Sequence, residues 1–271
     1  MSKIAVLSDV HANIDALELV LKDIEKKNID KIICLGDLVA KYFYPDKVVD
    51  AIKDNCFIFI KGNCDELVAT NKNYKFARSK LGIDRIDFLD NLPLYSYMNI
   101  NDININLFHA TPNSIDDIFN PLFDGNNYTD YKDKTLYDYK DMFVSVEKQV
   151  SIVGHTHQSY LGIEEDRELK IVEDELLISK DDRAIINVGS AGEHSHMVLN
   201  NFIPDTIIDP YLTYVILDDS IDNKIKVSTV KVPYKETFKK VYYDSLRLQE
   251  NGSVPFSPND TKRREKSLRL M

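Results

Sequence analysis

Apolar and polar positions in the first third of the chain switch between two periods. Ile4 to Ser8 is a short apolar run, the pattern of a buried strand, and Leu17, Val20, Leu21 and Ile24 then recur at helical spacing behind Asn13, a helix-capping residue type. Lys31 to Leu35 predicts a second strand, Pro45-Asp46 open a second helix carrying Val48, Val49 and Ile52, and Cys56 to Ile60 predicts a third strand. The order βαβαβ implies parallel strands joined by right-handed crossovers.

From Leu94 onward the pattern shortens. Tyr95 to Ile100 and Ile103 to Phe108 flank Asn101-Asp102 as a hairpin would, and helices are predicted over Ile83 to Asp90 and Tyr137 to Lys148. Strand-like runs follow at Ser151 to Val153, Ser159 to Ile163, Leu169 to Val172, Leu176 to Ile178, Ala184 to Asn187, Tyr211 to Leu217 and Lys224 to Val232. Residues 113 to 135 and 164 to 182 read as surface loops or insertions. Phe238, Val241, Tyr242 and Leu246 mark a last amphipathic helix that Asn251-Gly252 can end, so residues 1–252 are expected to form one domain and 253–271 a basic tail or arm.

Composition narrows the function classes. Against 34 Lys and Arg stand 44 Asp and Glu, a net charge of −10, which weighs against a surface that tracks a nucleic-acid polymer. A small anionic substrate stays compatible, because bound cations reverse a local field. The 3 cysteines form no disulfide framework or paired metal motif, no apolar run reaches membrane-spanning length, and the opening MSKIAVLSDV is interrupted by Asp9 too early for a signal peptide. These features predict a cytoplasmic protein without a membrane partner.

The chemistry lies where the strands end. Asp9 and His11 follow the first strand, Gly36-Asp37 the second and Gly62-Asn63 the third, while His109 ends the hairpin and His155 and His157 follow Ser151 to Val153. Ends of parallel strands line one crevice, so these positions are expected to converge. Two carboxylates, one amide and four imidazoles suit divalent ions such as Mn, Fe, Ni, Co or Zn, with Mn favoured. Seven side chains exceed what one open catalytic ion takes and fit two ions sharing a carboxylate. Glycines before Asp37, Asn63 and His155 are read as sharp turns off each strand.

The series Ser8-Asp9-Val10-His11, Leu35-Gly36-Asp37, Lys61-Gly62-Asn63-Cys64-Asp65, Phe108-His109-Ala110 and Val153-Gly154-His155-Thr156-His157 resembles the motifs of the calcineurin-like metallophosphoesterase superfamily over residues 1–195. The resemblance implies a four-layer αββα sandwich of two mixed β-sheets flanked by helices. It implies one metal held by Asp9, His11, Asp37 and His157, and a second by Asp37, Asn63, His109 and His155. Ile186-Asn187-Val188-Gly189-Ser190 and a terminal helix expected to begin at Pro233-Tyr234 also resemble the small bacterial and archaeal branch with a Gly-Asn-Cys-Asp motif, which is associated with phosphodiesterase activity. The activity implied is hydrolysis of a small phosphate ester by a hydroxide bridging the two ions, with Asp37, Asn63 and His109 in catalytic roles.

The chain departs from that pattern twice. Cys64 stands where many members carry a His that protonates or stabilises the leaving group, and Ala40-Lys41-Tyr42 replaces a glycine-containing loop. Lys41 adds either pocket charge or an exposed lysine. His194 and His196 are read as loop histidines, with replacement of the missing proton donor as the alternative. Cys34 and Cys56 are expected in the core. Tyr128, Tyr131, Tyr137 and Tyr139 are compatible with a partly exposed cap over the pocket, and the basic residues 262–269 with a solvated tail. Diester against monoester, a nuclease, a non-catalytic metal-binding module on the same fold, and a homo-oligomer are left open.

Overall fold

The computed structural model describes residues 3–119, 121, 139–143, 149–193, 195–200, 203–208 and 210–234, with 195–200 and 203–208 described by backbone alone. The predicted helix around Phe238 to Leu246 and the tail lie outside the described residues.

Two mixed six-stranded sheets form the centre. The first runs β3 (Ile58–Phe59), β2 (Lys31–Cys34), β1 (Lys3–Leu7), β13 (Tyr211–Asp218), β14 (Lys224–Pro233), β9 (Glu175–Ser179), in that spatial order. The second runs β4 (Tyr95–Ile100), β5 (Ile103–Phe108), β6 (Val150–Val153), β10 (Ala184–Asn187), β7 (Tyr160–Glu165), β8 (Glu168–Val172). Strands β1, β2 and β3 are parallel, as the βαβαβ order requires, and β5, β6 and β10 are parallel in the second sheet.

Alternation along the strands explains the layers. Ile4, Val6, Ile33 and Leu35 face Leu107, Ile152, Leu161 and Ile186 across the sheets, whereas Ala5, Leu7, Ile32 and Cys34 point to the helical layer. Both faces of β1 and β2 are therefore covered, which is why their sequences are runs rather than strict alternations. Each fully buried Leu or Ile contributes about 1.5–3 kcal/mol. The helical layer comprises α1 (Ile14–Lys26), α2 (Pro45–Asn55), α3 (Asn63–Thr70) and α4 (Lys75–Asp90). Asn13 caps α1 through its side-chain oxygen, which accepts from Ala16 N at 3.2 Å, and Pro45 opens α2. The outer face of the second sheet, with Phe108, Val153, Tyr160 and Ile185, is covered by Phe119, Met142 and Phe143.

Several expectations change. Strand β3 keeps two residues of the predicted five, and the predicted helix from Ile83 is the second half of α4, broken at Gly82 (φ 68°). The described part of Tyr137 to Lys148 is a 3-10 turn, Tyr139–Met142. Helix α3 was not legible, because its residues serve the adjoining site as well as a core face. The 164–182 segment is not a surface loop, and the two runs predicted within it are strands: β8 closes an edge of the second sheet and β9 pairs with β14 on the far edge of the first. Residues 195–200 form β11, paired with β12 (Ile203–Ile208), so His196 lies in a strand rather than a loop. His194 lies outside the described residues.

Candidate metal centre

The polar residues read from the sequence meet at the joint between the two sheets. Asp9 and His11 come from the turn after β1, Asp37 from the turn after β2, and Asn63 is the first residue of α3. His109 follows β5, and His155 and His157 follow β6. The first sheet thus supplies four of the seven, and the second sheet three. Hydrogen bonds fasten the two sets: Ala191 N donates to Ser8 O at 2.9 Å and His155 N to Asp9 Oδ2 at 2.9 Å.

Five of the seven adopt left-handed backbone: Asp9 (φ 58°), His11 (52°), Asp37 (54°), His155 (67°) and His157 (62°). Non-glycine residues rarely do so, and such strain persists where the surroundings over-determine it. Of the three glycines read as turns, Gly36 has the positive φ, 95°, that a glycine turn needs. Gly62 and Gly154 are required for space instead. A Cβ on Gly62 would strike the Asp37 carboxylate and amide, and one on Gly154 would strike the side chains of Ser8 and Asp9.

The side chains form overlapping clusters. Asp9, His11 and His157 make one and Asp37, His109 and His155 another, with the potential ligand atoms of each within 4.8 Å of one another. Nε2 of His11 and Nε2 of His157 lie 3.0 Å apart, and Asp9 Oδ1 is 3.4 Å from His157 Nε2 and 3.7 Å from His11 Nε2. Asp37 spans the clusters: its Oδ2 is 3.7 Å from His11 Nε2, and its Oδ1 is 3.5 Å from His109 Nε2. Asn63 Oδ1 is 3.2 Å from His109 Nε2.

These atoms fit a divalent cation. Two ligands on one ion at bonds of about 2.1 Å sit roughly 3.0–3.4 Å apart for octahedral or tetrahedral angles, the spacing of His157 from His11 and from Asp9, with the Asp9–His11 pair slightly wider at 3.7 Å. Among the described residues Asp9 Oδ1 and His11 Nδ1 are buried without a hydrogen-bond partner, an arrangement that costs free energy unless something else satisfies the group. His109 Nδ1 donates to Leu35 O at 2.7 Å, which in the neutral ring turns the Nε2 lone pair toward Asn63 Oδ1.

The electrostatics agree with the donor set. Burial, followed by the Lys41 ammonium and His157, pushes His11 well below the ordinary imidazole range, so its ring is neutral and one ring nitrogen has its lone pair available. Burial acts to raise Asp9, but contact with His157 and the charges of His157, His109 and His11 outweigh it and keep the carboxylate ionised. Burial acts to lower His109, and Asp37 and Asp9 reverse that.

Three supporting groups escaped the sequence reading. Asp65 is buried and accepts four backbone N–H bonds: from Asp37 and Gly62 at 2.9 Å, from Leu38 at 2.9 Å and from Val39 at 3.3 Å. Burial and Asp37 nevertheless raise it to about 7. Asn187 Nδ2 donates to Gly154 O at 2.7 Å and to Thr156 Oγ1 at 3.0 Å, and Ser190 Oγ donates to Asp9 O at 2.8 Å. Asp65, Asn187 and Ser190 stand in the quoted motifs, so their positions were visible while their tasks were not.

Cys64, left out of the ligand set by sequence, places its sulfur within 4.8 Å of ligand atoms of His11 and Asp37. Burial and Asp37 raise its thiol well above the usual range, so it is neutral. Cys34 and Cys56 are buried core residues as expected, and all three cysteines are free. Tyr139 packs against the cluster on the outer face of the second sheet and donates to Glu164 Oε1 at 3.1 Å. Tyr128, Tyr131 and Tyr137 lie outside the described residues.

A parallel-strand joint crowded with imidazoles and carboxylates defines a metal-centred hydrolase scaffold. Residues 2–203 match the calcineurin-like phosphoesterase superfamily domain, and the chain belongs to that superfamily. An uncharacterised protein of Methanocaldococcus jannaschii is 29% identical over 256 residues, spanning 90% of this chain and 94% of its own. A metallophosphoesterase from Sphaerobacter thermophilus shares the fold at TM-score 0.63 and 23% identity, covering 93% of this chain and 95% of that one. A hypothetical protein from Pyrococcus horikoshii OT3 does so at TM-score 0.65 and 20% identity, covering 97% of each. Membership implies metal-dependent hydrolysis of phosphate esters. Among the described residues no helix is long and apolar enough to cross a membrane.

Proposed function

We propose that the chain is a dinuclear metal-dependent phosphodiesterase acting on a small phosphate ester in the cytoplasm, with manganese as the favoured metal. The observation that carries the dinuclear reading is Asp37, whose two oxygens face different clusters, Oδ2 toward His11 and Oδ1 toward His109. Asp9, His11, Asp37 and His157 would hold one ion, and Asp37, Asn63, His109 and His155 the other. When bound, the ions supply an activated water and neutralise charge on the phosphate oxygens.

The chain's own residues do the remaining work. Neutral His11 and ionised Asp9 offer lone pairs without prior loss of a proton. Asn63 orients its oxygen to the cluster, which leaves its amide N–H groups to donate to a non-bridging phosphate oxygen. Cys64, neutral and reluctant to ionise, is a weak proton donor, so esters with good leaving groups are favoured. The folded unit extends beyond the family match, since β13 sits between β1 and β14 in the first sheet. That placement supports a domain of residues 1–252.

The test is hydrolysis of an aryl phosphodiester and the matching monoester by chelator-stripped protein after addition of Mn, Ni, Zn, Fe or Mg, with metal content measured. Asp37→Asn is expected to lower turnover at least a hundredfold, because one substitution weakens both ion sites; faster diester than monoester turnover supports the phosphodiesterase. A folded, metal-loaded protein that hydrolyses neither ester would instead support the non-catalytic module.

A further inference from the structure

Lys41 differs from the other lysines near the centre. Ala40 and Lys41 are consecutive left-handed residues, φ 68° and 65°, and lie against another such pair, His11 and Ala12, at 52° and 63°. Hydrogen bonds hold the two loops together: Tyr42 N donates to His11 O at 3.0 Å and Tyr44 N to Ala12 O at 3.1 Å. Left-handed backbone in non-glycine residues costs on the order of 1 kcal/mol each, so this loop is held in place at some expense of stability.

The loop fixes a half-buried lysine beside the loop that carries His11. Its ammonium lies within electrostatic reach of both the His11 imidazole and the Cys64 thiol, which approach the pocket from different elements. Lys61, by contrast, is bound by Glu66 Oε2 at 2.8 Å and Asp90 O at 2.7 Å. Among the described residues Lys41 makes neither a hydrogen bond nor an ion pair. An unpaired ammonium beside a cation-binding cluster is repulsive, and an anion seated between the two reverses the sign.

We infer that Lys41 is a specificity residue that binds a second phosphate of the substrate, beyond the scissile phosphoester. The scissile group is met by the imidazoles, carboxylates and Asn63 of the joint; Lys41, at the side of His11 and Cys64, meets what extends from it. The substrate class is then a phosphate ester carrying a further phosphate. This assignment rests on the phosphoesterase reading.

The experiment compares metal-loaded wild type, Lys41→Met and Lys41→Arg in two assays, after melting curves establish that each folds. Calorimetry measures binding of inorganic phosphate and of pyrophosphate, with metal content checked afterwards. Hydrolysis compares two p-nitrophenyl diesters whose second ester group is either methyl or a phosphate-terminated alkyl chain. Lys41→Met is expected to weaken pyrophosphate binding about tenfold while changing phosphate binding less than about twofold, and to lower kcat/KM about tenfold for the phosphate-bearing diester alone. Lys41→Arg should keep most of both. Equal effects on the two anions, or none, would overturn the assignment. A selective binding change without turnover of either ester would retain Lys41 as an anion ligand and reject the phosphoesterase reading.

Discussion

Residues at this centre are held in conformations that they would not choose alone. Asp9, His11, Asp37, His155 and His157 are left-handed, and the glycines beside them differ in purpose: Gly36 supplies a turn, whereas Gly62 and Gly154 supply room. Gly62→Ala tests that distinction. The added methyl group meets the Asp37 carboxylate and backbone amide, so the variant is expected to lose about 1–3 kcal/mol of stability and most of its bound metal, read by urea unfolding and metal content. Full metal occupancy in a stable Gly62→Ala protein would show that the close approach is not needed. At the same scale, Cys34 and Cys56 show how an apolar pattern exposes burial, while Cys64 shows its limit, because a site residue has no periodicity to betray its neighbours.

Elements carry these residues by their ends. Strands β1 and β2 were legible because buried strands leave apolar runs, β5 because it alternates as one arm of a hairpin, β6 as a short strand-like run, and α1 and α2 because their apolar faces recur at helical spacing. Helix α3 was hidden: Asn63 and Cys64 face the centre, Asp65 is buried as an anchor, and few positions remain to show a stripe. Asp65 ties the start of α3 to the turn after β2 by accepting from Gly62, Asp37, Leu38 and Val39. Asp65→Ala leaves those buried amides without their acceptor and is expected to cost about 3 kcal/mol or more, measured by urea unfolding of the metal-free protein. A loss below about 1 kcal/mol would mean that water or a rearranged turn replaces the carboxylate. The edge strands β8 and β9 were legible as short runs, but polar residues on their exposed faces dilute the pattern, so the sheet each one joins was not.

Across the whole molecule, the centre exists because two sheets pack face to face. Asp9, His11, Asp37 and Asn63 come from the first and His109, His155 and His157 from the second, so the inter-sheet core of Ile4, Val6, Leu107, Ile152 and Ile186 also sets the distances in the pocket. A cation that draws ligands from both sheets binds the folded chain and not the unfolded one. Stripping the metal is therefore expected to lower the melting temperature, and re-addition at about a hundred times its Kd to restore about 2.7 kcal/mol of stability. Identical melting of stripped and reloaded protein would contradict a centre spanning the sheets.

Sequence alone determined the order βαβαβ, the hairpin of β4 and β5 and the identity of the polar residues at the strand ends, since these follow from local periodicity and from motif spacing. It determined the superfamily as well, because the motifs are linear. Only the tertiary structure decided that the crevice lies between two sheets, that Asp37 faces both clusters and that Asp65, Asn187 and Ser190 brace them. It alone fastened Lys41 against the His11 loop. Those are relations between residues as many as 181 positions apart, as with Ser190 and Asp9. They depend on how the sheets pack, and packing leaves no periodic trace in the chain.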